Sequence, residues 1–194
     1  MANLAVFGLG YVGSVSAACF ASRGNQVIGV DTNLQKLDLL RQGIPPVAEP
    51  GLPELVQSAV RNRKLCVTHD VHEAVRRSDV SFISVGTPSR RNGDVDLSAL
   101  ESVLEEIGAA LRDHDKFHTI VLRSTVPPGT TRRFAIPILE EMSGRTAGTG
   151  FEIYFNPEFL REGCSIRDFH APRTSSSASR KTLLTASCVK SGKT

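Results

Sequence analysis

The chain has 194 residues, 40% hydrophobic and 22% charged, with a formal net charge of +3. This is the make-up of a soluble domain with a real core; no apolar run is long enough to span a bilayer, so no membrane partner is expected. Five of the 23 basic residues (Arg173, Arg180, Lys181, Lys190, Lys193) and none of the 20 acidic ones lie after Pro172, so the basic balance belongs to the tail and argues against nucleic-acid binding by the rest.

Along the chain, "NLAVFGLG" is a short apolar run ending in glycines, a buried strand that closes in a tight turn. It has no basic region before it and is too broken by glycine for a secretory signal, so a cytoplasmic location is expected. "YVGSVSAACFASRG" reads as a helix stopped at Gly24, and "QVIGVD" as a second strand. "LQKLDLLRQG" is a helix opened by Thr32 or Asn33 and closed by Gly43. After the proline-stiffened "IPPVAEPG", "LPELVQSAVRNR" is a helix, "LCVT" a strand, and "DVHEAVRRS" a short helix capped by Asp70. "DVSFISVGTP" is an apolar strand running into a loop. "LSALESVLEEIGAALR" is amphipathic, with Leu100, Val103, Leu104, Ile107 and Leu111 on one stripe. "HTIVLRSTVPPGT" is a strand and a turn, "TTRRFAIPILEEM" a helix that Pro137 kinks or ends, and "FEIYFNPE" the last strand. Alternation of doubly apolar strands with helices predicts an α/β, doubly wound parallel sheet of the Rossmann type over residues 1–173. Residues 174–194 are expected to be a disordered basic Ser/Thr-rich tail.

The residues that carry chemistry lie at the predicted carboxyl ends of the strands, where this fold binds ligands. "GLGYVG" puts Gly8, Gly10 and Gly13 between a strand and a helix. Gly8 serves the tight turn, Gly10 the approach of a pyrophosphate, and Gly13 close helix packing. The helix N-terminus offers free N–H groups to the anion. Asp31, ending the next strand, suits a ribose diol and repels a 2′-phosphate, which points to NAD rather than NADP. Lys36 either leans over the same ribose or is a solvated lysine. Thr87 sits at the mouth of the fourth strand, whereas Arg90 and Arg91 read as solvated charges. Ser124 and Thr125 end the fifth strand, where a hydroxyl suits a nicotinamide or a catalytic water; Thr130 caps the helix that follows. Glu158 and Glu162, past the sixth strand, either orient a water or act as base there, or are surface acids with Glu162 paired to Arg161.

"VFGLGYVG", "GVD", "EPGL", "VGTPS", "STVPPGT" and "NPEFLREG", in this order and at these intervals, resemble the UDP-glucose/GDP-mannose 6-dehydrogenase family over residues 2 to about 173. "GTPSRRNGDVDL", "VLRSTVPPGT" and "IPILEEMSGRTAG" resemble its GDP-mannose branch more than its UDP-glucose branch. The resemblance implies that Gly8, Gly10, Tyr11, Val12 and Gly13 hold the NAD pyrophosphate, and that Asp31 and Lys36 contact the adenosine ribose. It implies that Thr87 touches the dinucleotide and that Thr125 both touches it and lies near the catalytic water. Glu158 would assist hydrolysis of a covalent intermediate, and Leu160, Arg161 and Glu162 would touch the nucleotide-sugar. The implied substrate is GDP-mannose, alternatively UDP-glucose. The implied reaction is two NAD-dependent oxidations of the sugar C6 alcohol to a carboxylate through a cysteine thioester, in a homo-oligomer built on a central helix. A thiolate suits that chemistry because it holds the aldehyde as the tetrahedral adduct from which the second hydride leaves.

Two features depart from the family. Its nucleophile lies in a "GGxC" segment after the central helix, and this chain contains neither. Cys19 and Cys66 read as core residues and Cys164 as a small buried hydrophobe, while Cys188 has no glycine turn beside it; none is expected to replace the nucleophile. Their spacing fits neither a zinc site nor a disulfide framework. The family also continues after "DF" with a "PPRTVIG"-like strand, whereas here "HAPRT" gives way to "SSSASRKTLL". We therefore expect a truncated or frameshifted product that is inactive alone, to be checked by reading the DNA beyond Arg173 for a frame encoding "VIG" and a later "GGxC". A free-standing NAD-binding module and a simple alcohol or hydroxy-acid dehydrogenase on the same fold are the alternatives.

Overall fold

The computed structural model describes residues 1–171; the predicted tail, with Cys188, lies outside them. Six strands form one sheet: β1 (Asn3–Phe7), β2 (Gln26–Val30), β3 (Leu65–Thr68), β4 (Val80–Ile83), β5 (His118–Leu122) and β6 (Phe151–Phe155). They lie in the order β3-β2-β1-β4-β5-β6, and every neighbouring pair is parallel. The order reverses between β1 and β4, the kind of switch point at whose carboxyl ends this fold binds ligands. This is the doubly wound arrangement expected from the sequence.

The four inner strands, β2, β1, β4 and β5, are buried along most of their length because both faces of the sheet are covered there. On one side, Leu4, Val6 and Val27 pack with α1 (Tyr11–Ser22), α2 (Leu34–Arg41) and α3 (Leu52–Arg61) through Val15, Leu37, Leu40, Leu52 and Val56. On the other side, Ala5, Phe7 and Ile28 meet α4 (Val71–Arg76), α5 (Ser98–Arg112) and α6 (Ile136–Ser143). The α5 stripe is buried at Leu100, Leu104, Ile107 and Leu111, and Val103 sits at its margin. A Cβ on Gly108 would stand 2.6 Å from that of Met142, so this glycine sets how closely α5 and α6 approach.

Three local readings change. Pro137 does not end its helix but stands just after an irregular turn of it. A π-helical turn at Thr131–Ala135 runs into α6, and the proline falls in the first turn of α6, where its missing N–H is tolerated. Residues 165–170 form a further helix, α7 (Ser165–His170), packed on α1 through Ile166 and Phe169. Cys66 is exposed rather than core, since β3 is an edge strand, whereas Cys19 is buried as expected. Among the described residues no helix is long and apolar enough to cross a membrane.

Candidate functional site

The glycine loop follows β1. Gly8 has φ +86°, and a Cβ on it would lie 2.9 Å from the Ser84 carbonyl oxygen. A Cβ on Gly13 would lie 1.8 Å from the Gly8 carbonyl oxygen, so the contact of α1 with the loop leaves no room for any side chain there. Gly10 is different: a Cβ on it would meet nothing within 4 Å. The protein's own packing therefore demands glycine at 8 and 13 but not at 10, where the bare backbone suits the close approach of a ligand. Tyr11 and Val12 are half-buried at the start of α1, whose first turn carries no acidic residue and whose N-terminus has no side-chain cap. Its amides remain suited to an anion.

Asp31 lies directly after β2 with its side chain only 8% exposed. Its Oδ2 accepts from the Leu9 amide at 2.8 Å and from Lys36 Nζ at 3.2 Å, and its Oδ1 accepts from the Asn33 amide at 2.8 Å. Asn33 in turn caps α2, accepting from the Gln35 and Lys36 amides. Lys36 is thus tied to Asp31 rather than free in solvent. Oδ1 keeps a lone pair for a ribose hydroxyl, so this acceptor fits a dinucleotide with an unmodified diol.

The ends of β4, β5 and β6 supply the rest. Thr87 Oγ1 donates to the Thr125 carbonyl at 2.6 Å, bringing the two predicted threonines together across adjacent strand ends. The Ser124 hydroxyl donates to the Val85 carbonyl at 2.7 Å, so of the two candidates Thr125 is the exposed one. Thr130 donates back to the Pro127 carbonyl instead of capping the following turn. Arg90 pairs with Asp96 on the surface, across a small loop turned at Gly93.

Glu158 is held at both oxygens: Arg123 Nε donates to Oε2 at 2.8 Å, and the Leu160 amide donates to Oε1. The pair is largely buried, at 11% and 14% side-chain exposure. Arg161 does not pair with Glu162. It makes a two-pronged bond to Asp168 of α7, at 2.8 and 2.9 Å, because the unforeseen helix brings that carboxylate within reach. Glu162 is exposed, and Leu160 packs against the α1 side of the core. Phe169 stacks edge-on to Phe20 and lies under the Arg23 guanidinium.

Sequence reasoning missed Glu49, although "EPGL" marks its position. It is 5% exposed. Its carboxylate accepts from Tyr11 Oη at 2.6 Å, from the Gly163 amide at 2.7 Å and from the Ser165 amide at 2.8 Å. Burial alone would raise its pKa, but these donors outweigh it and hold the group below the usual carboxylate value. Burial and the Glu49 bond push Tyr11 up, so it stays a protonated donor.

Residues 2–176 match the NAD binding domain of the UDP-glucose/GDP-mannose dehydrogenase family. The chain belongs to that family. The cofactor expected from Asp31, NAD, is the one this domain of the family binds. The GDP-mannose 6-dehydrogenase of Pseudomonas putida is 53% identical over 170 residues, 88% of this chain and 39% of that protein. A UDP-glucose 6-dehydrogenase of Bacillus subtilis is 40% identical over 168 residues, 87% of this chain and 35% of that protein. A ternary complex of GDP-mannose dehydrogenase from Pseudomonas aeruginosa superposes with a TM-score of 0.87 at 50% identity, covering 88% of this chain and 39% of that one. The chain thus spans about two-fifths of the length of these relatives.

Proposed function

We propose that the chain is the cofactor-binding part of a cytoplasmic NAD-dependent nucleotide-sugar 6-dehydrogenase whose substrate is GDP-mannose. The observation that carries the reading is the open backbone at Gly10 beside the Asp31 carboxylate and the Thr87–Thr125 bridge, all at the carboxyl ends of the strands. The higher identity to GDP-mannose than to UDP-glucose dehydrogenases favours GDP-mannose.

On this reading Gly8, Gly10, Tyr11, Val12 and Gly13 form the pyrophosphate cradle, and Asp31 with Lys36 takes the adenosine ribose. Thr87 and Thr125 face the nicotinamide end. NAD, when bound, is the hydride acceptor. Glu158, fixed by Arg123, orients a water for hydrolysis; Leu160, Arg161 and Glu162 border the nucleotide-sugar. Burial pushes the Cys19 thiol up to about 11, which leaves it inert, and Cys66 lies on the sheet edge opposite β6. Cys164, half-buried rather than buried as expected, directly precedes α7, and the chain holds no "GGxC" segment, so we expect the chain alone to bind NAD without turning over. The assay is NADH production from GDP-mannose, with UDP-glucose as control. Sustained turnover by the purified chain would overturn the view that the nucleophile must come from elsewhere.

A further inference from the structure

We propose that Glu49 is a positioning residue that couples the cofactor loop to the acidic segment after β6, so that binding at one side orders the other. This rests on the cofactor reading above and adds to it a link between two sites. The link spans three stretches far apart in sequence. Tyr11 opens α1 within the glycine motif, Glu49 lies in the loop between α2 and α3, Gly163 ends the segment carrying Glu158 and Glu162, and Ser165 opens α7 after it. The Tyr11 and Ser165 hydroxyls also meet directly at 2.5 Å, which closes the network on itself.

The backbone between β6 and α7 makes no helix or strand. Its start is held by the Asn156 amide on the Leu122 carbonyl and by the Arg123–Glu158 pair. Its far end is held by Glu49, which takes the Ser165 amide at the start of α7, a donor with no partner inside the helix. Glu49 is itself rigidly placed. Pro45, Pro46 and Pro50 restrict its loop, and its carbonyl accepts from the Leu52 amide at 3.1 Å. Any change at Tyr11 on cofactor binding would therefore be passed on through the carboxylate rather than absorbed in a loose loop. By thermodynamic reciprocity, order imposed on residues 158–165 strengthens binding at the glycine loop by the same factor.

The test is hydrogen exchange by mass spectrometry on the 194-residue chain, with and without NAD, in wild type, Glu49→Gln and Tyr11→Phe. E49Q keeps the size of the side chain but puts an NH2 group where an oxygen accepted. Y11F leaves Glu49 on the two amides and removes both bonds of the Tyr11 hydroxyl, to Glu49 and to Ser165. In wild type, NAD should slow exchange at Gly163 and Ser165 by about fivefold or more. In both variants NAD should still slow exchange at residues 8–13, while the slowing at 163 and 165 falls to less than about twofold. A merely structural Glu49 would raise exchange equally with and without NAD, leaving the ratio unchanged, and that result overturns the proposal. Protection at 8–13 without protection at 163 and 165 in wild type also overturns it and leaves the cofactor reading standing. Protection at neither place overturns both.

Discussion

The Leu9 amide donates to Oδ2 of Asp31 at 2.8 Å, so the carboxylate after β2 also fixes the glycine loop after β1. On the function proposed above, the ribose acceptor and the pyrophosphate cradle are thus one construction. Asp31→Ala strands the Leu9 and Asn33 amides and frees Lys36. It should cost about 2 kcal/mol of stability in urea denaturation, with an NAD affinity at least about tenfold weaker by calorimetry. A variant with wild-type stability would contradict the double role.

Gly10 and Gly13 should separate binding from folding. Gly10→Ala places its methyl in open space at φ −71°, ψ −160°, a conformation alanine accepts. Stability should change by less than about 1 kcal/mol, while NAD binding is lost because the methyl occupies the ligand's side of the loop. Gly13→Ala drives a methyl to 1.8 Å from a carbonyl oxygen and should destabilise by about 3 kcal/mol or more. Thermal denaturation followed by calorimetry distinguishes the two; equal losses of stability would refute the division.

His118 gives the fold an acid limit. It is fully buried on β5, with Nε2 2.8 Å from Ser81 Oγ. Burial, then the nearby His114, lowers its pKa from 6.5 to about 4. Between those values the unfolded chain binds the proton and the folded chain does not, so stability falls as pH drops from about 6.5 towards about 4. The loss attains at most about 3 kcal/mol. Urea denaturation at about pH 7 and about pH 4.5 measures it. His118→Asn should flatten the slope over that window; an unchanged slope would assign the acid sensitivity to other groups.

The fold was legible because its signals are local. Alternating apolar runs and helical stripes name the strands and helices, and "GLGYVG" with Asp31 names the crevice. What stayed hidden depends on distance or brevity. Glu49 meets partners 38, 114 and 116 residues away, and no spacing rule joins them. Helix α7 has six residues, too few for a full periodic pattern, although Ile166 and Phe169 at i and i+3 were its one clue. Without α7, Arg161 had only its neighbour Glu162 to suggest a partner, and Asp168 could not be seen. The π-helical turn before Pro137 has no sequence signature of its own.

The most direct measurement is a calorimetric titration of the purified chain with NAD and, separately, with NADP. NAD should bind at least about tenfold more tightly, because on the proposed reading the Asp31 carboxylate would receive a ribose diol and repel a 2′-phosphate. A folded chain that binds neither dinucleotide, or binds NADP as tightly as NAD, would contradict the reading of this crevice as an NAD site.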